Sequence, residues 1–480
     1  MHYENRSIRS IRHAAIVSIF GKYVGIILNL VYSAILSRIL TPQDFGVVAV
    51  VFVFTTFFLL LANMGIGPAV IQNKRLDDMD NRAIFALTFY VAIIISILFA
   101  LMSYPLSCFY NNSSYVRIGF LLSAALFFNT VNIVPNALLF KAHRFELLAV
   151  RSVLIGIATS ILTIYLATIG FGYYSIVIQS ILGSILTFAW NGYTLRSAIG
   201  FKVRRSSIGK IGYFSKYQFT FSLINYFSRN LDNLLIGRFI GETQLGYYNR
   251  SYQLMQYPTQ NLTHAITPIL HPILSIYENK KEVIYAKYIK ILRVLSIIGV
   301  FVTVYIHFAS SEITLMIFGD QWQGSVRSLQ LLSLSIWSQM LTSSSGSIFQ
   351  SLNKTKLLMI TGSLSALIIV SMIILGVILG NIDTVALLVS VGYLLVFFQC
   401  FYVLTRFGFE MKFHKFMGIF YLDIFNIIVL YIAMVVFTNL FIINDLLFSA
   451  CIKLVFLGVM YLMLLILTKQ YKYLIYVLGL

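Results

Sequence analysis

The sequence has 480 residues, of which 59% are hydrophobic and only 11% are charged, and its mean hydropathy is +0.87. These values exclude an ordinary soluble domain and indicate a polytopic membrane protein. The net charge of +19 would suit a polyanionic partner, but the placement of the basic residues gives it another meaning. Three cysteines, Cys108, Cys400 and Cys451, are scattered without metal-ligand spacing, so no structural disulfide and no metal site is expected.

About fourteen apolar stretches, each of roughly 20 residues, are long enough to cross the hydrocarbon core of a bilayer. Glycine and proline occur inside them and polarity does not alternate, so helices fit better than the strands of a barrel. We therefore predict an all-α polytopic membrane protein. The predicted spans are 14–36, 45–64, 83–103, 117–139, 147–168, 172–195, 213–236, 243–273, 286–308, 325–349, 357–379, 384–405, 418–441 and 446–468.

Basic residues are concentrated in every second connection between the predicted spans. The richest connections follow span six, with Arg204 and Arg205, and span eight, with Lys280 and Lys281. By the positive-inside rule, these connections and both termini lie on the cytoplasmic side. Most of the positive charge is therefore a topology signal, with adhesion to anionic lipids as a by-product, and no nucleic-acid partner is expected.

An internal repeat is visible in the sequence. Leu36–Gly46 aligns with Ile236–Gly246 at an offset of 200, and past an insertion Arg144 aligns with Lys354 at an offset of 210. Because span one matches span seven, the two halves share one orientation, as in a parallel repeat about an axis normal to the membrane. The predicted parts are an N-lobe of spans one to six (residues 1–200), a C-lobe of spans seven to twelve (201–410), and spans thirteen and fourteen with a cytoplasmic C-terminus (411–480).

The segment from Lys216 to His271 carries more polar residues than a lipid-facing helix tolerates, and they recur at helical spacing. The two polar stripes are Gln218, Ser222, Asn225, Arg229 and Asp232, then Arg250, Gln253, Tyr257, Gln260, His264, Thr267 and His271. A charged side chain near the bilayer centre costs at least ~2.5–3.5 kcal/mol, so these charged groups are expected to face a cavity or a partner. We interpret both spans as the substrate-facing lining of a transporter.

Several short motifs carry a family resemblance that runs over most of the chain, from about residue 10 to 410. They are Ser37–Gly46 (SRILTPQDFG), Gly65–Gln72 (GIGPAVIQ), Asn132–Leu139 (NIVPNALL) before Arg144 and Phe145, Leu231–Arg238 (LDNLLIGR), Leu245–Tyr252 (LGYYNRSY) and Phe318–Trp322 (FGDQW). In order and spacing they resemble the polysaccharide transporter family of Wzx-type flippases. That family lies in the multidrug, oligosaccharidyl-lipid and polysaccharide exporter superfamily, which also contains the lipid II flippases.

The resemblance implies a two-lobed transporter of the bacterial inner membrane. Its substrate would be an undecaprenyl-diphosphate-linked oligosaccharide repeat unit, moved from the cytoplasmic to the periplasmic leaflet for O-antigen, capsule or exopolysaccharide synthesis. Alternating access coupled to Na⁺ or H⁺ is the expected mechanism, with no other cofactor. The expected partners are the lipid-linked oligosaccharide, the bilayer and the polysaccharide polymerase machinery.

A cationic path suits this substrate, because a diphosphate and polar sugars do not cross hydrocarbon unaided, and arginine and lysine bind phosphate oxygens. Asp232 is the only carboxylate placed well inside a predicted span. The expected substrate-facing residues are Lys22, Asn225, Arg229, Arg250, Gln253, Gln256, Tyr257 and Gln260, and those expected for ion coupling are Asp232 and His264.

Structural interpretations of the same residues stay open. Arg229 and Asp232, three residues apart, would neutralise one another as a pair. Lys22 and Arg250 would extend along the helix to its end, and for Lys453 this interpretation is favoured. The two interior histidines, His264 and His307, also fit groups whose hydrogen bonds are satisfied within the protein.

Two other functions also stay open. A small-molecule exporter of the multidrug type would favour a more apolar and acidic cavity than this sequence predicts. A membrane polysaccharide polymerase would usually carry catalytic carboxylates on a sizeable outer loop. The predicted outer connections are short and their carboxylates, among them Glu312, are dispersed rather than paired, so no enzymatic activity is predicted.

Overall fold

The computed structural model describes residues 23–473, except residues 74, 196–198, 205, 208, 210–225, 227–228, 264–269, 271–272 and 279 and the side chain of residue 262. The chain divides into two compact units, Met1–Arg238 and Phe239–Leu480. Every regular element in the described residues is helical, which confirms the all-α prediction. Ten of these described helices are long and apolar enough to cross a membrane, and the count of fourteen spans stays a prediction.

The first unit is built from long apolar helices joined by short connections. Its helices are α1 (Tyr23–Ile39), α2 (Pro42–Asn63), α3 (Ile66–Gln72), α4 (Asp78–Tyr110), α5 (Ser114–Val131), α6 (Ile133–Lys141), α7 (Phe145–Thr168), α8 (Tyr174–Thr194) and α9 (residues 229–239).

The start of α2 shows how the sequence sets a helix boundary. The Thr41 hydroxyl accepts a hydrogen bond from the Asp44 N–H at 3.2 Å, and the Thr41 N–H donates to the Asp44 carboxylate at 2.9 Å. Pro42 occupies the first helical turn, where its missing N–H costs nothing. The TPQD segment therefore fixes where the second span begins.

The second unit contains the remaining helices. They are α10 (Glu242–Pro258), which continues as a π-helical segment (Thr259–Thr263), α11 (Lys281–Phe308), α12 (Ser310–Phe318), α13 (Gln323–Ser333), α14 (Ile336–Ser343), α15 (Ser345–Ser351), α16 (Thr355–Ile378), α17 (Ile382–Val403), α18 (Phe413–Met417), α19 (Tyr421–Leu440) and α20 (Leu446–Leu467).

The predicted span 325–349 is interrupted in the structure, because this stretch forms the three short helices α13, α14 and α15. Serines lie at the breaks and bond back to the preceding turn: the Ser335 hydroxyl donates to the Leu332 carbonyl at 2.6 Å, and the Ser344 hydroxyl to the Leu341 carbonyl at 2.8 Å. Such bonds compete with the helical ladder and favour interruptions.

Two turns repeat between the units at the offset of 210. His143 and Asn353 both have left-handed backbone, with φ of 55° and 53°, and Gly170 and Gly380 have φ of 90° and 86°. The N–H of Arg144 donates to the Leu139 carbonyl at 3.0 Å, and that of Lys354 to the Phe349 carbonyl at 2.8 Å. The same helix-ending turn therefore occurs at both positions that the sequence repeat aligns.

Aromatic packing dominates the core of the second unit. The ring of Phe397 lies 5.0 Å from those of Trp337 and Phe401, centroid to centroid, and the Trp337 indole N–H donates to the Ser296 hydroxyl at 2.8 Å. Lipid tails are as apolar as these side chains, so close packing and hydrogen bonds hold membrane helices together more than the hydrophobic effect does. This core is the rigid support for the helices that flank α10.

Candidate functional site

Arg250 is the buried cation of α10, with 7% of its surface exposed. One guanidinium nitrogen, Nη1, donates to the Gln253 side-chain oxygen at 2.5 Å, and the Gln253 amide donates to the Tyr257 hydroxyl at 3.2 Å. These three residues lie at i, i+3 and i+7, so the predicted polar stripe exists as a hydrogen-bonded chain along one face of the helix. The interpretation in which Arg250 extends to a helix end does not fit this buried position.

Two aromatic rings cover the Arg250 guanidinium. Its central carbon lies 5.2 Å from the centroid of the Phe318 ring and 5.8 Å from that of Trp322. Gly319, with φ of 96°, reverses the chain between these rings in a conformation that L side chains rarely adopt. The FGDQW motif therefore supplies a cation–π cover, worth ~0.5–2 kcal/mol in other proteins, for the arginine of the LGYYNRSY motif.

Separate contacts hold α10 against α13. The Ser251 hydroxyl donates to the Ser325 carbonyl at 2.7 Å, and the Ser325 hydroxyl donates to the Tyr247 carbonyl at 3.0 Å. A Cβ atom at Gly324 would come within 2.6 Å of the Tyr247 ring, so this position needs glycine. The helix is therefore positioned without relying on Arg250.

Gln256 belongs to a second polar chain. Its amide donates to the Tyr252 hydroxyl at 3.2 Å and to the Gln339 side-chain oxygen at 3.3 Å, and the Tyr252 hydroxyl lies 2.8 Å from that of Tyr393. Gln339 in turn donates to the Ser335 hydroxyl at 2.8 Å. The chain links α10 to α14 and α17, so Gln256 has a structural connection that the sequence does not reveal.

Beyond Pro258 the α-helix gives way to the π-helical segment Thr259–Thr263. Proline removes one backbone donor from the helical ladder, and π segments in other proteins often lie at functional positions. Gln260 lies in this segment with its side chain exposed, while Tyr257 just before it is half-buried. The helix type therefore changes directly after Pro258.

In the first unit, α9 carries Arg229 and Asp232. Arg229 is exposed, whereas Asp232 is 4% exposed and its carboxylate accepts a hydrogen bond from the Asn233 N–H at 2.8 Å. Within the described residues no ion pair joins Arg229 to Asp232, so the paired interpretation is not supported. The predicted site residues Lys22, Asn225 and His264 lie outside the described residues.

A cavity of about 580 Å³ lies within the first unit. Gly25, Asn29 and Tyr32 of α1 line it, facing α7, and the Tyr32 hydroxyl donates to the Gln179 side-chain oxygen at 2.5 Å. Asn29 and Tyr32 are the partners of Arg229 and Asp232 at the offset of 200. Most of the other lining side chains are apolar.

Lys453 and Glu312 contradict the sequence interpretation. Lys453 does not extend to the helix end but forms an ion pair with Glu312, with 14% and 8% of the two side chains exposed. Glu312, expected in an outer connection, lies in α12 and also accepts a hydrogen bond from the Ser449 hydroxyl at 2.6 Å. Asp423 is a further buried carboxylate, in the first turn of α19.

The sequence analysis did not identify Arg151 as a site residue. Arg151 is buried in α7 and its guanidinium donates to the side-chain oxygens of Asn136 and Asn191. The Asn191 amide donates to the Asn132 side-chain oxygen at 2.9 Å. Three asparagines in otherwise apolar segments were the available signal for this cluster.

His307 fits the interpretation of an interior histidine whose hydrogen bonds are satisfied within the protein. Its Nδ1 lies 3.0 Å from the Gln330 carbonyl oxygen and its Nε2 lies 3.3 Å from the Tyr431 hydroxyl. Across the part of the chain that the structure describes, no group of three or more His, Cys, Asp or Glu side chains is placed to hold a metal ion.

Comparison of the sequence with known proteins gives one matching family. A profile of the family described as polysaccharide biosynthesis protein matches residues 35–327. An uncharacterized membrane protein in the cps region of Klebsiella pneumoniae is 26% identical over 371 residues, covering 74% of this chain and 73% of that protein. The lipopolysaccharide biosynthesis protein WzxC of Escherichia coli (strain K12) is 23% identical over 319 residues, covering 64% of this chain and 62% of WzxC.

Solved structures show the same fold. The lipid II flippase MurJ in an inward closed conformation superposes with a TM-score of 0.76 at 13% identity, covering 95% of this chain and 100% of MurJ. An inward-facing multidrug resistance MATE family transporter gives a TM-score of 0.61 at 17% identity, covering 80% of this chain and 94% of that transporter. At these identities the likeness concerns the fold alone.

Proposed function

The chain belongs to the polysaccharide biosynthesis protein family, and we propose that it is a flippase for lipid-linked oligosaccharides. In this proposal it moves an undecaprenyl-diphosphate-linked repeat unit from the cytoplasmic to the periplasmic leaflet of the bacterial inner membrane, with both termini in the cytoplasm. The resemblance to the Wzx-type flippases is confirmed by the family match and the relatives.

The observation that carries the proposal is the family match on a chain with ten described membrane-crossing helices. Polysaccharide precursors must cross the membrane, and a diphosphate with its sugars does not cross hydrocarbon unaided. The names of further relatives agree with such a step: the teichuronic acid biosynthesis protein TuaB of Bacillus subtilis (strain 168) and the succinoglycan biosynthesis transport protein ExoT of Rhizobium meliloti (strain 1021).

The chain is a transporter and not an enzyme, as predicted, because its family and its structural neighbours are transporters and flippases. MATE transporters share the fold, so the fold does not separate a flippase from a multidrug exporter. The family match favours the flippase, because the matched family is described as polysaccharide biosynthesis protein; the match extends through the LGYYNRSY and FGDQW motifs that build the covered arginine of α10.

We place the substrate diphosphate near the polar face of α10. Arg250, Gln253 and Tyr257 form one chain of side chains that leads to the exposed Gln260 in the π-helical segment. A guanidinium binds phosphate oxygens through planar, charge-assisted hydrogen bonds. Because Arg250 is covered in this conformation, substrate contact requires the rings of Phe318 and Trp322 to move, which alternating access would supply.

Coupling to Na⁺ or H⁺ remains part of the proposal. Asp232 supports it as a buried carboxylate in the α9 polar stripe. Replacing Asp232 with asparagine should abolish the dependence of transport on an imposed ion gradient while leaving the protein in the membrane. Equal gradient dependence in the Asp232→Asn variant and the wild type would remove Asp232 from this role.

The experiment that tests the function is deletion of the gene in its host. We expect loss of the surface polysaccharide and accumulation of lipid-linked repeat units facing the cytoplasm. Normal polymer in a strain without other flippases would contradict the proposal and favour drug-efflux assays. Accumulation of single repeat units on the periplasmic face would indicate a polymerase instead.

A further inference from the structure

A pocket of about 440 Å³ opens in the second unit, where α11, the start of α19 and the chain beyond α20 meet. Its lining includes four cationic side chains: Lys290 and Arg293 from α11, and Lys469 and Lys472 beyond α20. The described residues that line it include no carboxylate. By the positive-inside rule these residues belong to the cytoplasmic side, far along the sequence from the α10 stripe.

A buried hydrogen-bond network fixes the shape of this pocket. The Gln470 amide donates to the Asp423 carboxylate at 2.9 Å, and the Asn426 amide donates to the Gln470 side-chain oxygen at 2.7 Å. Both bonds are buried, so the segment that carries Lys469 and Lys472 is anchored to α19. Asp423 is a single negative charge beneath four positive ones, and an excess of positive charge therefore remains.

The Arg293 guanidinium has hydrogen-bond donors that lack an acceptor among the described residues. Its Nε and Nη1 atoms are buried and make no hydrogen bond to any residue that the structure describes, while its central carbon lies 5.2 Å from the centroid of the Tyr473 ring. Buried N–H groups are costly when they lack an acceptor. These unsatisfied donors make the present position of the Arg293 side chain costly, and an anion in the pocket would offset the excess charge around it.

We propose that this pocket binds the phosphate group of an anionic membrane lipid. One arginine with several lysines matches phosphate, because the guanidinium forms directed bonds and the ammonium groups add point charges. The lipid source is favoured by the apolar side chains next to the pocket: Ile424, Phe425 and Ile428 of α19 are all about half exposed. Acyl chains would lie along this face while the headgroup lies in the pocket.

The proposal is independent of what the protein transports. It predicts an accessory lipid site that stabilises the packing of α11, α19 and α20. Binding should weaken as salt concentration rises, because the attraction between lysines and phosphate at the surface is screened.

The test uses the purified full-length protein in detergent, titrated with phosphatidylglycerol or phosphatidylcholine, with binding followed by native mass spectrometry and by thermal unfolding. The test variant is Lys469→Gln/Lys472→Gln, in which both changed side chains are exposed, so folding should survive. The control is Lys412→Gln/Lys415→Gln, which removes the same charge from two exposed lysines outside the pocket. Arg293→Gln provides a second, independent test of the pocket.

We expect phosphatidylglycerol to bind and stabilise the wild type and the control more than phosphatidylcholine does. Loss of two charge-assisted contacts should weaken binding to the test variant by about tenfold or more. Equal weakening in the control would overturn the proposal, because it would show attraction to overall charge alone. Stabilisation by inorganic phosphate or pyrophosphate that matches the effect of the lipid would also overturn it, because the ligand would then be a soluble phosphate.

Discussion

Each unit buries one arginine among its described residues, but the two arginines lie at different positions of the repeat. In the other unit, the residue aligned with each arginine is uncharged. Arg151 corresponds to Thr361 at the offset of 210, and Arg250 corresponds to Val50 at the offset of 200. Both partners are buried as well. The repeat therefore preserves helix starts and turns but not polar centres, so the chemistry of one unit is not predictable from the other.

The surroundings of the two arginines also differ. Arg151 in α7 bonds to Asn136 of α6 and Asn191 of α8, and thereby ties three helices together. Arg250 bonds to Gln253 of its own helix and lies against aromatic rings, while Ser251 fixes α10 to α13. Arg151 therefore links helices within its unit, whereas α10 also has contacts to α13 that do not involve Arg250.

The ion pair between Lys453 and Glu312 should have the largest effect on stability of the variants compared below. The Lys453→Met variant leaves the Glu312 carboxylate buried without its counter-ion, which should destabilise the protein by ~3–5 kcal/mol. The measurement is thermal unfolding of the purified protein. Lys453→Met/Glu312→Gln should recover most of the loss, and failure to recover any of it would show that the cost lies in packing instead.

Arg151→Met should have the next largest effect. It leaves the buried side-chain oxygen of Asn191 without its charged donor, at a cost of ~1–3 kcal/mol, while the oxygen of Asn136 still accepts a hydrogen bond from the Asn191 amide. Transport should fall only in proportion to the amount of folded protein, measured by membrane abundance and unfolding together. Thr361→Val is the matched control, because its hydroxyl makes no hydrogen bond with the described residues and its loss should be tolerated. A fully abundant but inactive Arg151→Met variant would contradict the packing role.

Arg250→Met tests directly whether Arg250 differs from Arg151 in its contribution to stability. Replacing a buried charge with an apolar residue of similar volume is often close to neutral, and methionine packs well against aromatic rings, so we expect less than ~2 kcal/mol of destabilisation. Transport should nevertheless be abolished, because no phosphate ligand remains. Complementation of a deletion strain together with membrane abundance measures both effects. Loss of the Arg250→Met protein from the membrane would assign Arg250 a structural role.

The exposed ion pair between Lys281 and Glu410, 2.6 Å apart, should have the smallest effect. The hydrogen bond and charge of Lys281 hold the pKa of the Glu410 carboxyl below its ordinary value. Any stabilisation is therefore present at neutral pH and is lost as the pH falls through the depressed pKa. Exposed pairs contribute little, so Lys281→Ala should leave thermal unfolding at pH 7 unchanged, and a clear loss there would show a wider role for this pair.

Much of the fold could be predicted from the sequence, because the membrane dictates both the length of apolar spans and the side on which basic connections lie. The repeat offset also aligned Arg144 with Lys354, which follow the matching left-handed turns at His143 and Asn353. The break of span 325–349 was missed, since serines that cap neighbouring carbonyls do not lower the average hydropathy enough to be noticed.

Only part of the candidate site could be predicted from the sequence. The sequence predicted the stripe from Arg250 to Gln260 because helical spacing is local information. The cover that Phe318 and Trp322 place over Arg250, and the pairing of Lys453 with Glu312, join segments far apart in the chain. The motif that supplies the aromatic cover and the motif that supplies the arginine were both visible in the sequence, but their contact depends on tertiary packing.

The most direct test of the central claim is a leaflet assay with purified protein. The wild-type chain is reconstituted into liposomes that contain undecaprenyl-diphosphate-linked oligosaccharide from the host, and the fraction exposed outside is measured with a membrane-impermeant sugar-modifying enzyme. A flippase should raise the accessible fraction from about half toward completion as units reach the outer leaflet, and Arg250→Met liposomes should not. Equal accessibility with wild-type protein and without any protein, under every imposed ion gradient, would contradict the proposed function.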